Sequence, residues 1–111
     1  MDVKTHTILE YITATGNNPF REWLHALKDI TARAIIRTRL NRVRLGNFGD
    51  CKTIGVGLHE LRVPHGPGYR VYFGRIRKTT VLLLCGGDKK TQGKDIQKAH
   101  EYWYDYQRRT S

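Results

Sequence analysis

The sequence has little sulfur and no long apolar run. Its two cysteines, Cys51 and Cys85, each lie beside a predicted strand, and neither has another cysteine or a histidine at the spacing of metal ligands. We therefore expect two buried, reduced thiols and no metal centre. No stretch approaches the ~18 apolar residues that a membrane span requires, and the first eleven residues lack the apolar region of a signal peptide. The expectation is a cytoplasmic protein without a membrane segment.

Acidic residues are also scarce. Ten Asp and Glu face 20 Lys and Arg, which gives a net charge of +10 over 111 residues. That length has room for one domain, residues 1–111, and a hydrophobic fraction of 39% is ordinary for a folded chain. Such an excess of cations suits a polyanion, above all one that carries phosphate.

Hydrophobic periodicity predicts an α+β domain in the order strand, helix, helix, three or four strands, helix. The first strand is predicted within residues 3–13. Asn18 is the expected cap of a short amphipathic helix that starts at Pro19. Asp29 is the expected cap of a second helix, which runs to about residue 45 and is stopped by Gly46 or Gly49.

The second half of the chain is predicted to form most of the sheet. A period-two pattern with Val56 in its apolar set ends at Val63. The next strand, residues 69–76, places Tyr72 on its polar side. A continuously apolar strand over residues 80–85 is expected to end at Gly86-Gly87, and the last helix is predicted over residues 95–109 with a basic end.

The second predicted helix carries an arginine face without any acid between residues 30 and 49. Arg33, Arg37 and Arg44 share one side of it. A solvated surface explains this pattern, and so does contact with phosphate or with an acidic partner segment, because like charges on one helix repel and are usually offset.

Three short segments should converge if the central strands are antiparallel: residues 59–62, 68–70 and 88–90. Arg62 and Arg70 would then be cross-strand neighbours about 5 Å apart, and they must either share an anion or pair with an acid. Glu60 is the nearest acid in the sequence. The two interpretations are an anion site that includes Lys89 and Lys90, and an Arg–Glu ladder on the surface.

An anion site of this kind could act on RNA. Attack of a 2′-hydroxyl on the adjacent phosphate requires a proton acceptor, a proton donor and cations that stabilise the charge on the phosphorane. His59 is the one histidine expected near the arginines, and Glu60 and Lys89 compete with it as the base. No P-loop or dinucleotide-binding fingerprint is present, so no cofactor is expected.

Three motifs together resemble the RelE/ParE superfamily of toxins from type II toxin–antitoxin modules, in particular the phage-related addiction-module killer proteins close to HigB. They are NPF with WL at residues 18–24, GLHELR at 57–62 leading into GYRVY at 68–72, and LCGGDKKTQ at 84–92 followed by Asp95-Ile96. The resemblance covers nearly the whole chain. It implies a compact, twisted antiparallel sheet of four to five strands, flanked by two N-terminal helices and a C-terminal helix.

The resemblance also implies a function. Proteins of this kind cleave messenger RNA in the ribosomal A site without a metal, and a cognate antitoxin, expected here to be a small helix-turn-helix DNA-binding protein, neutralises them. Arg70 matches the phosphate-stabilising arginine of RelE-like toxins, and Arg62 and Lys89, with Lys90 beside it, match further basic positions. The candidate contacts to RNA or the ribosome are Arg33, Arg37, Arg44, Lys52, Lys94, Arg108 and Arg109.

One part of the family pattern is missing. Residues 91–98 contain neither the tyrosine nor the histidine that often serves as acid or stacking group near the start of the final helix. His59 or Lys94 would have to supply the acid. Two alternatives therefore stay open, a ParE-like inhibitor of DNA gyrase and an RNA-binding module without catalysis.

Overall fold

The computed structural model describes residues 4–111, which form one α+β domain with a five-stranded mixed sheet and three helices. The predicted strand residue Val3 lies outside this range. The elements are β1 (Thr7–Glu10), α1 (Pro19–Ala26), α2 (Ile30–Arg44), β2 (Cys51–Gly55), β3 (Leu58–Val63), β4 (Tyr69–Arg77), β5 (Thr80–Gly87) and α3 (Gln92–Thr110). Strand β1 precedes both of the first two helices.

The sheet is mixed, so the expectation of a wholly antiparallel sheet is wrong. Its strand order is β1-β5-β4-β3-β2, and β1 runs parallel to β5 while the other neighbours are antiparallel. Strands β2 to β5 follow one another through tight connections, which impose the antiparallel direction. Strand β1 reaches its neighbour only through two helices and three strands, so no hairpin constrains its direction.

Helix ends follow the predicted capping chemistry. The Asn18 side chain accepts a hydrogen bond from the backbone N–H of Arg21 at 3.0 Å, and Asp29 accepts one from Ala32 at 3.1 Å. Helix α2 ends at Arg44, just before Gly46 with a positive φ of 91°. None of the helices in residues 4–111 combines the length and apolar character needed to cross a bilayer.

Helices cover both faces of the sheet and create two cores. Val71 and Phe73 of β4 point toward α1 and α2, while Tyr72 between them points toward α3. Tyr72 is therefore fully buried, which contradicts its predicted place on a polar side. Val56, expected in the apolar set, lies in the β2–β3 turn and is 95% exposed. Cys85 is a buried free thiol, whereas Cys51 is a half-buried one.

The glycine pair does not end β5, as the sequence had suggested, because the strand continues through Gly87. A Cβ atom on Gly86 would clash with the indole ring of Trp23, and one on Gly87 would clash with the Asp95 carboxylate. Both glycines are needed for close packing, one against α1 and the other against α3. Helix α3 begins at Gln92, three residues before its predicted start.

Candidate functional site

The two arginines of the predicted anion site are direct neighbours. Arg62 of β3 pairs with Arg70 of β4, and two positions along the same strands Glu60 pairs with Tyr72. Because opposite residues of an antiparallel pair share a face, all four side chains lie on the side of the sheet that α3 covers. Tyr72 packs in the α3 core, which identifies that side.

Arg70 is held at the base of the site. Its side chain is only 12% exposed, and its Nη1 atom donates a 2.7 Å hydrogen bond to the carbonyl of Gly68. Gly68 has a φ of 82°, a conformation that favours glycine, so the loop that supplies this carbonyl depends on that residue.

Arg62 lies nearer to solvent and pairs with an acid that sequence reasoning missed. Its Nη2 atom is 3.0 Å from Oδ1 of Asp50, and both side chains are about half exposed. Asp50 directly precedes β2, and its carbonyl also accepts the backbone N–H of Arg62 at 2.9 Å. The sequence alone does not reveal Asp50 as the partner of Arg62, because their pairing depends on the β2–β3 register. The predicted Arg–Glu ladder on the surface is therefore not present: Arg62 pairs with Asp50, and the pair of Arg70 with Glu60 is buried.

The loop between β5 and α3 brings Lys89 to the same place. The Asp88 carboxylate accepts hydrogen bonds from the backbone N–H groups of Lys90 at 2.9 Å and Thr91 at 3.2 Å, which fixes the loop. A Cβ atom placed on Gly68 would lie 3.7 Å from the Lys89 Cβ atom, so the loop passes close to this glycine. An open cleft of about 180 Å³ results, lined by Asp50, Arg62, Val63, Pro64, Gly68, Tyr69, Arg70 and Lys89. Lys90 is exposed and does not line it.

Glu60 lies beneath the cleft and is completely buried. Its Oε2 atom accepts hydrogen bonds from the Tyr72 hydroxyl at 3.1 Å and from Nε2 of Gln92 at 2.8 Å. Burial, with the Glu60 carboxylate beside it, raises the pKa of Tyr72, so the phenol keeps the proton that it donates. Gln92 was not among the predicted residues, since only the packing of α3 reveals it.

His59 lies on the opposite face, so its predicted position beside the arginines is wrong. Side chains alternate along β3, and His59 consequently stacks on Phe73 with ring centroids 5.3 Å apart, in contact with Thr53. Burial and the nearby Arg75 lower the pKa of His59. The imidazole acts as a packing group there.

This position predicts a pH dependence of stability. The folded protein binds the His59 proton less tightly than the unfolded chain, whose pKa is near 6.5, so the free energy of unfolding should fall as the pH drops through that value. His59→Gln should flatten the profile of melting temperature between about pH 5 and pH 8. His25→Gln, on the exposed side of α1, is the control. An unchanged profile in His59→Gln would contradict the assignment.

The remaining candidate cations lie in three regions: near the cleft, in the last turn of α3, and on α2. Lys52, opposite Glu60 in the register, and Lys94, in the first turn of α3, are exposed at the cleft end of the molecule. Arg108 and Arg109 lie in the last turn of α3, about 25 Å along the helix from Gln92 at 1.5 Å per residue. Arg109 bonds to Asp105 and to the carbonyl of Ile12.

The arginines of α2 lie on the other side of the sheet from the cleft. Arg37 and Arg44 line a groove of about 280 Å³ between α1, α2 and β1, together with His25 and Asn41. Within the described residues neither arginine forms an ion pair. Arg33 is half-buried, and its Nε atom is buried with no hydrogen-bond partner among residues 4–111. The candidate RNA-binding residues thus do not form one surface.

The charged side chains of the cleft are mainly cationic. Three cationic side chains meet one exposed carboxylate, and guanidinium groups offer forked donors that match phosphate oxygens. Across residues 4–111, the His, Cys, Asp and Glu side chains form no group of three that could share a metal ion.

The fold and this cleft define a small α+β protein with a cationic cleft at one end of its sheet. No family model matches the chain. It is 50% identical over 80 residues to an uncharacterized protein of Haemophilus influenzae, a match that spans 72% of this chain and 81% of that protein. The chain belongs to the same family as this Haemophilus protein.

Proposed function

We propose that the protein is the toxin of a type II toxin–antitoxin module and acts as a ribosome-dependent, metal-independent mRNA endonuclease in the cytoplasm. The observation that carries the proposal is the convergence of Arg62, Arg70 and Lys89 on one open cleft. These are the basic positions that the resemblance to RelE-like toxins selects. The mixed sheet between two helices on one face and one on the other is, on this proposal, a RelE-like arrangement.

The cleft residues divide the work in the following way. Arg70 and Arg62 hold the scissile phosphate, and the Lys89 ammonium stabilises the negative charge that gathers on the phosphorane. Lys90 and Lys94 lie exposed at the same end and contact neighbouring phosphates. Asp50 supplies an exposed carboxylate inside the cleft that can accept the 2′-hydroxyl proton. Lys94, the remaining candidate for the acid, gives a proton to the 5′-oxygen as its bond to phosphorus breaks. Glu60 is fully buried, so RNA does not reach it, and it is not the base.

Primer extension on a defined message tests the proposal. The protein is added to a purified translation system with and without ribosomes, and the same preparation is used in a gyrase supercoiling assay. Cuts that require ribosomes would support the nuclease. Gyrase inhibition without cuts would move the protein to the ParE-like class, and no effect in either assay would favour an RNA-binding module.

The proposed antitoxin should occupy the groove beside Arg37 and Arg44. The groove has an apolar floor that includes Leu24 and Leu40. Arg21 is paired with Glu10 at its edge, but within the described residues Arg37 and Arg44 form no ion pair, and these two cations suit an acidic amphipathic segment. We expect the affinity of the complex to fall as salt rises, because these charges are exposed and screened. The antitoxin would be identified by its suppression of growth arrest on co-expression, and its binding measured by calorimetry across a salt series.

Charge reversal distinguishes binding in this groove from nonspecific attraction to a basic protein. The double variant Arg37→Glu, Arg44→Glu should weaken the complex by at least about tenfold, which corresponds to 1.4 kcal/mol. Arg77→Glu and Lys78→Glu, at the exposed β4–β5 turn, change the net charge equally and serve as the control. A complex insensitive to salt, or equal losses in both double variants, would exclude the groove as the binding site.

A further inference from the structure

A buried polar cluster lies directly below the cleft and has incomplete hydrogen bonding. Within the described residues, Oε1 of Glu60 and Nε of Arg70 are both buried without a hydrogen-bond partner. The Arg70 Nε atom is 3.9 Å from the other carboxylate oxygen of Glu60, beyond hydrogen-bond distance but within that of an ion pair. The two groups therefore face each other across a small gap.

The complete burial of the Glu60 carboxylate requires a physical explanation. Removing it from water is costly unless charge and hydrogen bonds compensate, and an apolar residue of similar volume often stabilises a core as well or better. Tyr72 and Gln92 satisfy only one oxygen of Glu60, and both are neutral donors. Arg70 is the cation that meets the remaining charge.

The Arg70 guanidinium has different neighbours on its Nε edge and on its Nη edge. Nε faces the buried Glu60, and Nη1 donates to the carbonyl of Gly68 at the cleft wall. A guanidinium is planar, so fixing its Nε edge also fixes the direction of the opposite Nη edge. The edge that remains available is the one toward the cleft.

The same cluster reaches the loop that carries Lys89. Gln92, in the first turn of α3, donates to Glu60 and follows Lys89 by only three residues. Glu60 therefore lies beside Arg70 of β4 and also bonds to the first residue of α3, directly after the loop that carries Lys89.

We infer that Glu60 is a positioning residue that orients Arg70 for a phosphate group and, through Gln92, sets the distance from Arg70 to Lys89. Tyr72 holds the carboxylate in this geometry. The inference rests on the proposed function only for the identity of the anion, an RNA phosphate. Glu60 itself does not touch the RNA.

The test compares Glu60→Gln with Glu101→Gln, the same substitution at an exposed position of α3. The first readout is the Nε–H signal of Arg70 in ¹⁵N-edited NMR spectra, which reports the orientation and water exchange of that group without any activity. The second is the affinity for a short single-stranded RNA oligonucleotide by fluorescence anisotropy. Glu60→Gln should accelerate exchange of this proton and weaken RNA binding by about 10- to 100-fold, the range found when a group that orients a metal ligand is lost. Glu101→Gln should change neither.

A milder variant keeps the test valid if Glu60→Gln does not fold. Tyr72→Phe removes one hydrogen bond to Glu60 and preserves the volume, so it should shift the Arg70 signal in the same direction by less. An Arg70 signal unchanged in both variants would overturn the inference. A changed signal with RNA affinity unaltered in Glu60→Gln and in Arg70→Ala would leave the positioning of Arg70 intact and reject RNA as the anion.

Discussion

Replacing Arg70 by alanine should lower the rate of ribosome-dependent RNA cleavage by about 10²- to 10³-fold and abolish growth arrest. Arg70 is the least exposed cation of the cleft, and its donors are already directed by Gly68 and Glu60. Such a preorganised charge stabilises a phosphorane more strongly than a solvated one, because it does not reorient during the reaction. The measurement is the cleavage rate by primer extension at saturating ribosomes.

The control lies on the same strand. Arg77→Ala, at the exposed end of β4, removes an equal charge about seven residues away and should retain full activity. Removing Arg70 also leaves the buried Glu60 without its cation, so thermal melting must accompany the assay. Arg70→Lys keeps a charge near Glu60 but loses the planar fork, and it should recover stability more than activity. A fully toxic Arg70→Ala would reject the assignment of the site.

The proximity of Arg62 and Arg70 could be predicted because strand alternation and a short hairpin loop fix a local register. The sequence also correctly predicted Asn18 as the cap of α1 and Asp29 as the cap of α2, since a cap involves only residues three positions apart. These are local features. They depend on neighbours in the chain and not on which element packs above the sheet.

The environments of Glu60 and His59 could not be predicted in this way. Alternation places these adjacent residues on opposite faces, but β3 alone does not reveal which face α3 covers or that Gln92 will meet Glu60. Burial of a carboxylate is a property of the packed elements. Asp50 escaped notice for a related reason, because its pairing with Arg62 follows from the β2–β3 register.

The glycine pair at the end of β5 shows the same limit. Gly-Gly is a usual turn signal, and here it permits close packing within a strand. The partners that require it, Trp23 and Asp95, lie far away or beyond a loop in the sequence. A turn glycine and a packing glycine are identical in the sequence and differ only in what lies above them.

This packing role predicts a large loss of stability from a single added methyl group at Gly86. Gly86→Ala should lower the free energy of unfolding by about 1–3 kcal/mol, the usual cost of overpacking, since its Cβ would clash with the Trp23 ring on a backbone that cannot move within the sheet. For a domain of this size the melting temperature should fall by about 4 °C or more. Urea denaturation and thermal melting by circular dichroism measure both values.

The matched substitution Gly93→Ala should act in the opposite direction. Gly93 lies in α3 with no atom within 4 Å of the position that a Cβ would take, so alanine there adds helix propensity without a clash and should raise stability by about 0.5 kcal/mol. A smaller side chain at position 23 should remove the clash in Gly86→Ala. The double variant Trp23→Leu, Gly86→Ala should therefore be more stable than the sum of the two single losses predicts. If Gly86→Ala is as stable as Gly93→Ala, the close contact between Trp23 of α1 and Gly86 of β5 is not present in solution.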